Sequence, residues 1–193
     1  MDGDQSESDK IFEQIKASYN TPPREYHSLG HVYDCLIKLQ QFVDMDTSAI
    51  ELAIWFHDAV YDALSKTNEC DSANMMKQCA DHLRIDPIQI SDADRLIMIT
   101  ADHKNASKND EIVIADIDLS ILAADPDVYK NYTMAIRSEY KAIDDIDYRA
   151  GRSAFLQQTL DSMPLFHTKW AQSHGFDDRA KENITRELIT LAN

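Results

Sequence analysis

The sequence predicts an all-α fold, and three observations support that prediction. Only four glycines and five prolines interrupt its 193 residues. Runs of β-branched residues are few, whereas Ala, Leu, Ile, Lys and acidic residues are abundant, a composition that favours helices. Apolar side chains also recur at helical spacing, as in Leu29, Val32, Leu36 and Leu39. A chain of this length is expected to form one domain with a sizeable core.

The N-terminal half divides into helices at its breakers. Residues 1–8 are polar and acidic, and we expect a disordered tail there, followed by a single helical domain over residues 9–193. Thr21-Pro22-Pro23 ends the first helix, because a proline cannot continue one. The helices predicted in this half are Lys10–Tyr19, Ser28–Phe42, Thr47 or Ser48 to Leu64, Asn68 or Asp71 to Arg84, and Ser91–His103.

The C-terminal half follows a polar loop over Lys104–Asn109. Pro126 suits the first turn of a helix, and Asp177 or Asp178 is a suitable cap for the last one. No repeat or low-complexity linker interrupts this half, which is why a single domain is expected. The helices predicted here are Asp110–Ala123, Pro126–Ile143, Asp147–Met163 and Phe176–Ala192.

The composition of the chain disfavours several classes of partner. The formal net charge is −15, so DNA and RNA would be repelled, and no basic run offsets this charge. No apolar run is long enough for a membrane span and no signal peptide is recognisable, so we expect a cytoplasmic protein. The three cysteines have no metal-binding spacing and are expected to be reduced. A small phosphorylated substrate stays compatible with the charge, because bound cations can reverse the local field.

The first candidate for chemistry is the His57-Asp58 doublet. It lies in an otherwise apolar stretch, Ala53-Ile54-Trp55-Phe56-His57-Asp58-Ala59-Val60. Burial of two polar side chains there costs free energy unless something satisfies them. A metal ion would satisfy both, and so would hydrogen bonding of the pair within the core. The doublet alone leaves both interpretations open.

Two further residues can join the doublet. His31 lies on the preceding predicted helix, and a short connection makes the two helices antiparallel neighbours. Asp118 is a carboxylate in apolar surroundings, while Asp116 lies on a different side of the same helix, so either could face the site. Two histidines and two aspartates, namely His31, His57, Asp58 and Asp118, would suit one or two divalent ions of Mn, Fe, Co, Ni, Zn or Mg.

The arrangement of these four residues is similar to a known pattern. Together His31, His57-Asp58 and Asp118 resemble the ligands of the HD superfamily of metal-dependent phosphohydrolases, over about residues 20–150. The resemblance implies an HD-domain helical bundle in which these side chains bind the metal. Longer segments resemble an uncharacterised family of predicted metal-dependent HD phosphohydrolases, and these are Arg24–His31, Ala53–Asp62, Asn68-Glu69, Asp118–Leu122 and Ile136–Tyr140.

A second resemblance concerns the segment Tyr26-His27-Ser28-Leu29-Gly30-His31. It is similar to the Tyr-His-Asn-x-x-His segment of class I cyclic-nucleotide phosphodiesterases. That similarity implies that His27 protonates the leaving oxygen, that His31 binds metal and that Asp58 bridges two metals. The chain departs from those enzymes at Tyr61, where they carry another histidine.

The expected activity is hydrolysis of a small phosphomonoester, nucleotide or phosphodiester. A metal neutralises the phosphoryl oxygens and activates water, and a general acid, here His27, protonates the departing alkoxide. In this interpretation Asp58 and Glu69 act in catalysis, with Glu69 holding the nucleophilic water. The residues expected to bind substrate are Arg24, Asn68 and His103.

Each of these assignments has a structural alternative. Arg24 would be a solvated loop residue, Asn68 a helix cap, and His103 a side chain that stabilises a helix C-terminus. Farther along the chain, Arg137 and Glu139 are expected to form a structural ion pair.

Two other functions stay open at the level of sequence. Some HD-fold proteins are di-iron oxygenases that use two more histidines between the doublet and the last aspartate, and this chain has His82 and His103 in that interval. A non-enzymatic HD module that binds a nucleotide is the third possibility, although the intact ligand pattern argues against a degenerate site.

Overall fold

The computed structural model describes residues 2–22 and 24–193, with side chains from residue 7 onward. This part of the chain contains ten α-helices, two short 3-10 helices and no β-strand, which confirms the all-α class. The α-helices are α1 (Asp2–Tyr19), α2 (Leu29–Leu39), α3 (Ser48–Phe56), α4 (Asn68–Leu83), α5 (Pro87–Ile99), α6 (Asn109–Leu119), α7 (Pro126–Glu139), α8 (Asp145–Asp161), α9 (Lys169–Ser173) and α10 (Phe176–Leu191). The 3-10 helices are His103–Asn105 and Ser120–Ala123. Among these described helices, none combines the length and apolar character of a membrane span.

The helix starts agree with the sequence in several places and differ in two. Helix α1 begins at Asp2, so residues 2–8, expected to be disordered, are helical; Met1 lies outside the described residues. Acidic side chains near a helix N-terminus favour this extension. Helix α5 begins at Pro87 rather than at Ser91, because the Asp86 carboxylate accepts the backbone amide of Ile88 and caps the helix there.

Helix α3 ends at Phe56, well before the predicted Leu64, and this places the His57-Asp58 doublet just beyond a helix end. Two side chains form hydrogen bonds with backbone groups that would have bonded within the helix if it were longer. The hydroxyl of Ser72 bonds both the amide and the carbonyl of Val60, at 2.9 and 3.2 Å. The guanidinium of Arg24 donates to the carbonyls of Asp58 and Ala59, at 2.6 and 3.0 Å. The chain therefore leaves the helix with the doublet held in place.

Helix α9 is an element that the sequence did not predict. It spans only Lys169–Ser173, and the hydroxyl of Thr168 caps it by accepting the amide of Ala171. A helix of so few residues has no room for a periodic apolar pattern. Its position depends instead on a buried contact between Thr168 and α6.

The apolar side chains form two cores. The first is built by α1 to α6, and the second by the chain from Leu122 onward, with Trp170 packed against both. A buried carboxylate also connects them, because Asp116 of α6 accepts the backbone amides of His167 and Thr168 and the Thr168 hydroxyl. The ends of α2, α3 and α6 that carry the candidate residues meet near this junction.

A second buried carboxylate, Glu111, organises the start of α6. It accepts the amides of Ser107 and Lys108 at 2.9 and 3.1 Å, and the guanidinium of Arg95 lies 2.6 Å away. Burial raises the pKa of Glu111, but hydrogen bonds from the backbone amides and from Arg95 outweigh burial and lower the pKa to about 2. The ionised form is therefore the one that the fold stabilises.

The Glu111→Gln variant should lose stability, by about 1–3 kcal/mol at neutral pH, since it removes a charge that accepts these hydrogen bonds. A carboxyl group with a lowered pKa stabilises the fold above its unfolded value, about 4.5, and this contribution disappears as the pH falls toward 2. Urea unfolding at pH 7 and pH 3 measures the difference, which should shrink at the lower pH. The exposed Glu182→Gln on α10 is the control, and an equal effect of both variants would contradict the assignment.

Candidate metal centre

Four donor atoms from three helix ends converge at the junction of the two cores. The two Nε2 atoms of His31 and His57 lie 3.1 Å apart. An oxygen of Asp118 is 2.9 Å from Nε2 of His31, and an oxygen of Asp58 is 3.1 Å from Nε2 of His57. His31 lies in the first turn of α2, His57 and Asp58 follow α3, and Asp118 is in the last turn of α6. The cluster of His31, His57 and Asp118 could therefore hold a metal ion.

The orientation of the His57 ring suits a ligand. Its Nδ1 lies 2.9 Å from the carbonyl oxygen of Ile54, which can only accept, so Nδ1 carries the proton. The lone pair of the neutral ring then sits on Nε2 and points at His31. A backbone carbonyl on the outer nitrogen is the arrangement that commonly fixes metal-binding histidines.

The distances between the donors fit a shared cation. A divalent metal bonded at about 2.1 Å to its ligands holds neighbouring donor atoms about 3.0–3.4 Å apart. The pairs His31–His57, His31–Asp118 and His57–Asp58 are 2.9–3.1 Å apart, while His57–Asp118 and His31–Asp58 are 3.7 and 3.8 Å apart. Two imidazole nitrogens with facing lone pairs also repel each other unless a proton or a cation lies between them. The spacing and the donor types are therefore compatible with one ion held by His31, His57 and Asp118, with the Asp58 carboxylate beside His57.

The charges in the cluster favour a cation as well. Burial raises the pKa of Asp58, but the imidazoles of His57 and His27 outweigh it and hold the pKa well below its usual range. Burial likewise raises the pKa of Asp118, and hydrogen bonds with His103 and His31 lower it far more. For His57, burial lowers the pKa, while the carboxylates of Asp58 and Asp118 raise it to about 9, so without a cation the ring is protonated at neutral pH, and a bound metal would take the place of that proton on Nε2. Two ionised carboxylates thus face the centre at neutral pH.

The structure decides between the two aspartates of α6 that the sequence left open. Asp118 faces the cluster through one oxygen, and its other oxygen lies 2.7 Å from Nε2 of His103. Asp116 points away and binds the backbone ahead of α9. His103, expected to bind substrate, is therefore a partner of Asp118, either as a residue that orients it or as a donor to a second ion.

Arg24 has a different role from the phosphate clamp that the sequence suggested. Its guanidinium donates to the carbonyls of Asp58, Ala59 and His27, at 2.6, 3.0 and 3.1 Å. The same group packs over the rings of Tyr19 and Tyr61, at 5.1 and 5.4 Å. These contacts occupy Nη1 and one hydrogen of Nη2, while the buried Nε has no hydrogen-bond partner among the described residues, and Arg24 thereby connects the His27 loop to the doublet.

Asn68, Glu69 and His82 take no part in the contacts that hold the cluster together among the described residues. The side-chain amide of Asn68 is occupied at both ends by the backbone of Asp62, at 3.0 and 2.9 Å, so Asn68 closes a loop. Glu69 lies in the first turn of α4 and makes none of the contacts that hold the cluster together among the described residues. His82 is exposed in the last turn of α4, outside the cluster, so no observation favours the four-histidine pattern of a di-iron oxygenase.

His27 stands beside the cluster, and a glutamate that the sequence misassigned holds it there. Its Nδ1 lies 2.6 Å from Oε2 of Glu139, and its ring stacks on Tyr61 with centroids 4.2 Å apart. Tyr61 also donates its hydroxyl to Glu139, at 3.0 Å. Burial lowers the pKa of His27, but the Asp58 carboxylate and the hydrogen bond to Glu139 raise it above its usual value. These contacts favour the protonated form of the His27 imidazole beside the donors.

Glu139 was expected to pair with Arg137, and that expectation is wrong. Arg137 bonds the carbonyls of Tyr140 and Ile143 and, at 2.6 Å, the carboxylate of Asp145. Glu139 is buried at the end of α7, and Oε1 accepts the amides of residues 25, 26 and 27. The only sequence signal was its place within the Ile136–Tyr140 segment, since no local spacing predicts a contact across more than a hundred residues.

Comparison of the chain with protein-family models, with curated proteins and with solved structures gave no match in any of the three. The interpretation of this site therefore rests on the geometry and the charges of its side chains.

Proposed function

We propose that this protein is a metal-dependent hydrolase of small phosphate esters. The observation that carries the proposal is the cluster of His31, His57 and Asp118, with Asp58 next to His57 and the separate His27 at its side. Mixed imidazole and carboxylate donors suit a divalent ion of Mn, Fe, Co, Ni, Zn or Mg. When bound, such an ion would neutralise the phosphoryl oxygens and lower the pKa of water.

The residues of the chain have separate tasks in this proposal. The four donors hold the ion, and Asp58 and Asp118 supply the negative charge that favours it. His27 is not needed as a donor, because its Nδ1 is occupied by Glu139, which leaves Nε2 free to give a proton to the departing alkoxide. Tyr61 stacks on that ring and limits its rotation. Arg24 bonds the backbone of both His27 and Asp58, and so holds the general acid at a fixed position relative to the donors.

The proposal is tested first by elemental analysis. Purified wild type should contain about one or two equivalents of a divalent metal, or take up Mn²⁺, Ni²⁺ or Mg²⁺ when it is added, and His57→Ala should retain none. The metal so identified is then added to a panel of phosphomonoesters, nucleotides and phosphodiesters. Failure of both proteins to bind any metal would contradict the proposal. Near two equivalents of iron with oxygen consumption would instead favour the oxygenase.

The His27→Gln variant should keep its metal and lose rate. Loss of a general acid typically lowers kcat by about 10²- to 10⁴-fold, and the four donors do not depend on this ring. Metal content and kcat are measured on the same preparation. If the variant loses its metal, His27 is a ligand and not the acid. A full rate with full metal content would assign the proton transfer to another group.

A further inference from the structure

A cavity of about 550 Å³ opens beside His27, between α7 and α8. Four aromatic rings contribute to its walls, those of Tyr132, Tyr140, Tyr148 and Phe155. Leu64 and Phe155 contribute to it although they are largely exposed, at 60% and 46%, so apolar surface at the cavity is left open to solvent. The volume falls within the range of small-molecule sites, and an apolar wall with a few polar groups is typical of them.

The cavity offers no free positive charge among the side chains that the structure describes there. The guanidinium of Arg152 is bound to the Glu187 carboxylate at 2.8 and 3.2 Å and to the Tyr132 hydroxyl at 3.3 Å. His27 is likewise bound to Glu139. Asp147 adds a negative charge to the wall. An occupant with an additional phosphate would find a carboxylate and no unpaired cation, and this would disfavour it.

A glycine in this wall is not explained by the fold. Gly151 lies in the middle of α8, where glycine is a poor helix former. A Cβ built at this position would meet no atom within 4 Å, so no neighbour requires the missing side chain. The position lines the cavity, and the absent side chain leaves room there.

We infer that this cavity receives the alcohol portion of the substrate, and that the preferred alcohol is uncharged and carries an aromatic ring. The inference rests on the proposed function. A phosphate at the four donors places its leaving oxygen at His27, and His27 forms both the edge of the donor cluster and part of the cavity wall. The group behind the leaving oxygen therefore extends into the aromatic cavity. The site selects phosphate esters by the alcohol and disfavours alcohols that carry a second phosphate.

Binding of the alcohol alone tests the cavity without turnover. The probe is 1-naphthalenemethanol, whose fluorescence is titrated with EDTA-treated protein. Wild type should bind it, and Gly151→Leu, which places a side chain into the cavity, should bind it at least about 10-fold more weakly. Ala154→Leu introduces the same side chain at an exposed position of α8 outside the cavity wall and should bind like wild type. Absence of binding by wild type, or equal binding by Gly151→Leu, would overturn the inference.

Selectivity is tested with metal-loaded protein on two matched pairs of esters. The ratio of kcat/KM for 1-naphthylmethyl phosphate to that for methyl phosphate should fall at least about 10-fold in Gly151→Leu and stay constant in Ala154→Leu. Wild type should prefer propyl phosphate to 1,3-propanediyl bisphosphate by a similar factor, because like charges meet in the second case. An unchanged ratio in Gly151→Leu, or preference for the bisphosphate, would contradict the inference.

These measurements separate the two proposals. Hydrolysis with a ratio that Gly151→Leu does not change would leave the hydrolase standing and overturn the cavity assignment. If no ester is hydrolysed, but naphthalenemethanol binding is lost in Gly151→Leu, the proposed function fails and the cavity remains a site for an aromatic alcohol. Circular dichroism melting of Gly151→Leu should show a Tm no lower than that of wild type, since leucine is the better helix former.

Discussion

Asp118→Asn should lose both its metal and its activity, whereas Asp116→Asn should keep its metal. The two residues lie in the same helix, are both buried or nearly so, and differ in what they face. Asp118 contacts His31 and His103 at 2.9 and 2.7 Å, and Asp116 binds the backbone of His167 and Thr168. Removing the charge of a ligand is expected to weaken metal affinity more than about 100-fold, the upper end of what outer-shell changes cost. Loss of kcat/KM should follow.

The matched variant separates a metal effect from a folding effect. Asp116→Asn turns an amide group toward two backbone donors and should lower the free energy of unfolding by about 1–3 kcal/mol. Metal content by elemental analysis and urea unfolding are measured for both proteins. Equal metal loss in both variants would mean that α6 as a whole, and not the Asp118 carboxylate, holds the site. Full metal content in Asp118→Asn would remove Asp118 from the donors.

The donor cluster could be predicted from the sequence because each donor stands out among its immediate neighbours in the chain. His57-Asp58 stood out as two polar residues within an apolar stretch, and a short connection placed His31 on the neighbouring helix. Asp118 was recognisable for the same reason, a carboxylate among isoleucines and leucines. Which aspartate of α6 faces the site was undecided, since both lie in apolar surroundings and their partners are distant along the chain. Only the fold shows that the Asp116 partner is the segment before α9.

Contacts between distant loops were beyond prediction from one sequence. Arg24 was a reasonable phosphate ligand until the structure placed its guanidinium on the carbonyls that follow α3. Asn68 was assigned to substrate, yet its amide closes the loop at Asp62. In both cases a polar side chain satisfies backbone groups of the loop between α3 and α4, and such groups carry no side-chain signal. The role of Glu139 was not predicted from the sequence, because the backbone amides that its carboxylate accepts lie more than a hundred residues upstream.

Glu139→Gln should lower the activity and move the alkaline limb of the pH–rate profile to lower pH. The Glu139 carboxylate accepts the Nδ1 proton of His27, and this contact helps to raise the pKa of that ring. The amide of glutamine would instead turn a donor toward Nδ1, which favours the neutral ring. The pKa of His27 then falls, and the protonated acid is lost at a lower pH. A bound cation would offset the charge of Asp58, so the effect of Glu139 should persist in the metal-loaded enzyme.

The carboxylate also holds the loop that carries His27, so stability and catalysis should decline together. Glu139 accepts three consecutive backbone amides, those of Glu25, Tyr26 and His27, at 2.7–3.0 Å. Glu139→Ala would leave these donors without a partner in a buried place and should lower the free energy of unfolding by about 3–5 kcal/mol. Glu139→Gln keeps an acceptor oxygen and should cost less. The glutamine variant is therefore the one suited to kinetics.

The control for Glu139→Gln is Glu111→Gln, which changes a buried glutamate with backbone partners far from the donors. Both variants should be less stable than wild type, but only the change at Glu139 should move the alkaline limb. The profile of kcat/KM against pH is measured on preparations of equal metal content, which excludes loss of the ion as the cause.

An unshifted profile with a normal rate would show that His27 needs no carboxylate to act, and the proton would then have to come from another group. Identical shifts in both variants would assign the effect to general destabilisation. A shift confined to Glu139→Gln would show that the Glu139 carboxylate raises the pKa of His27. It would also support the role of His27 as the general acid.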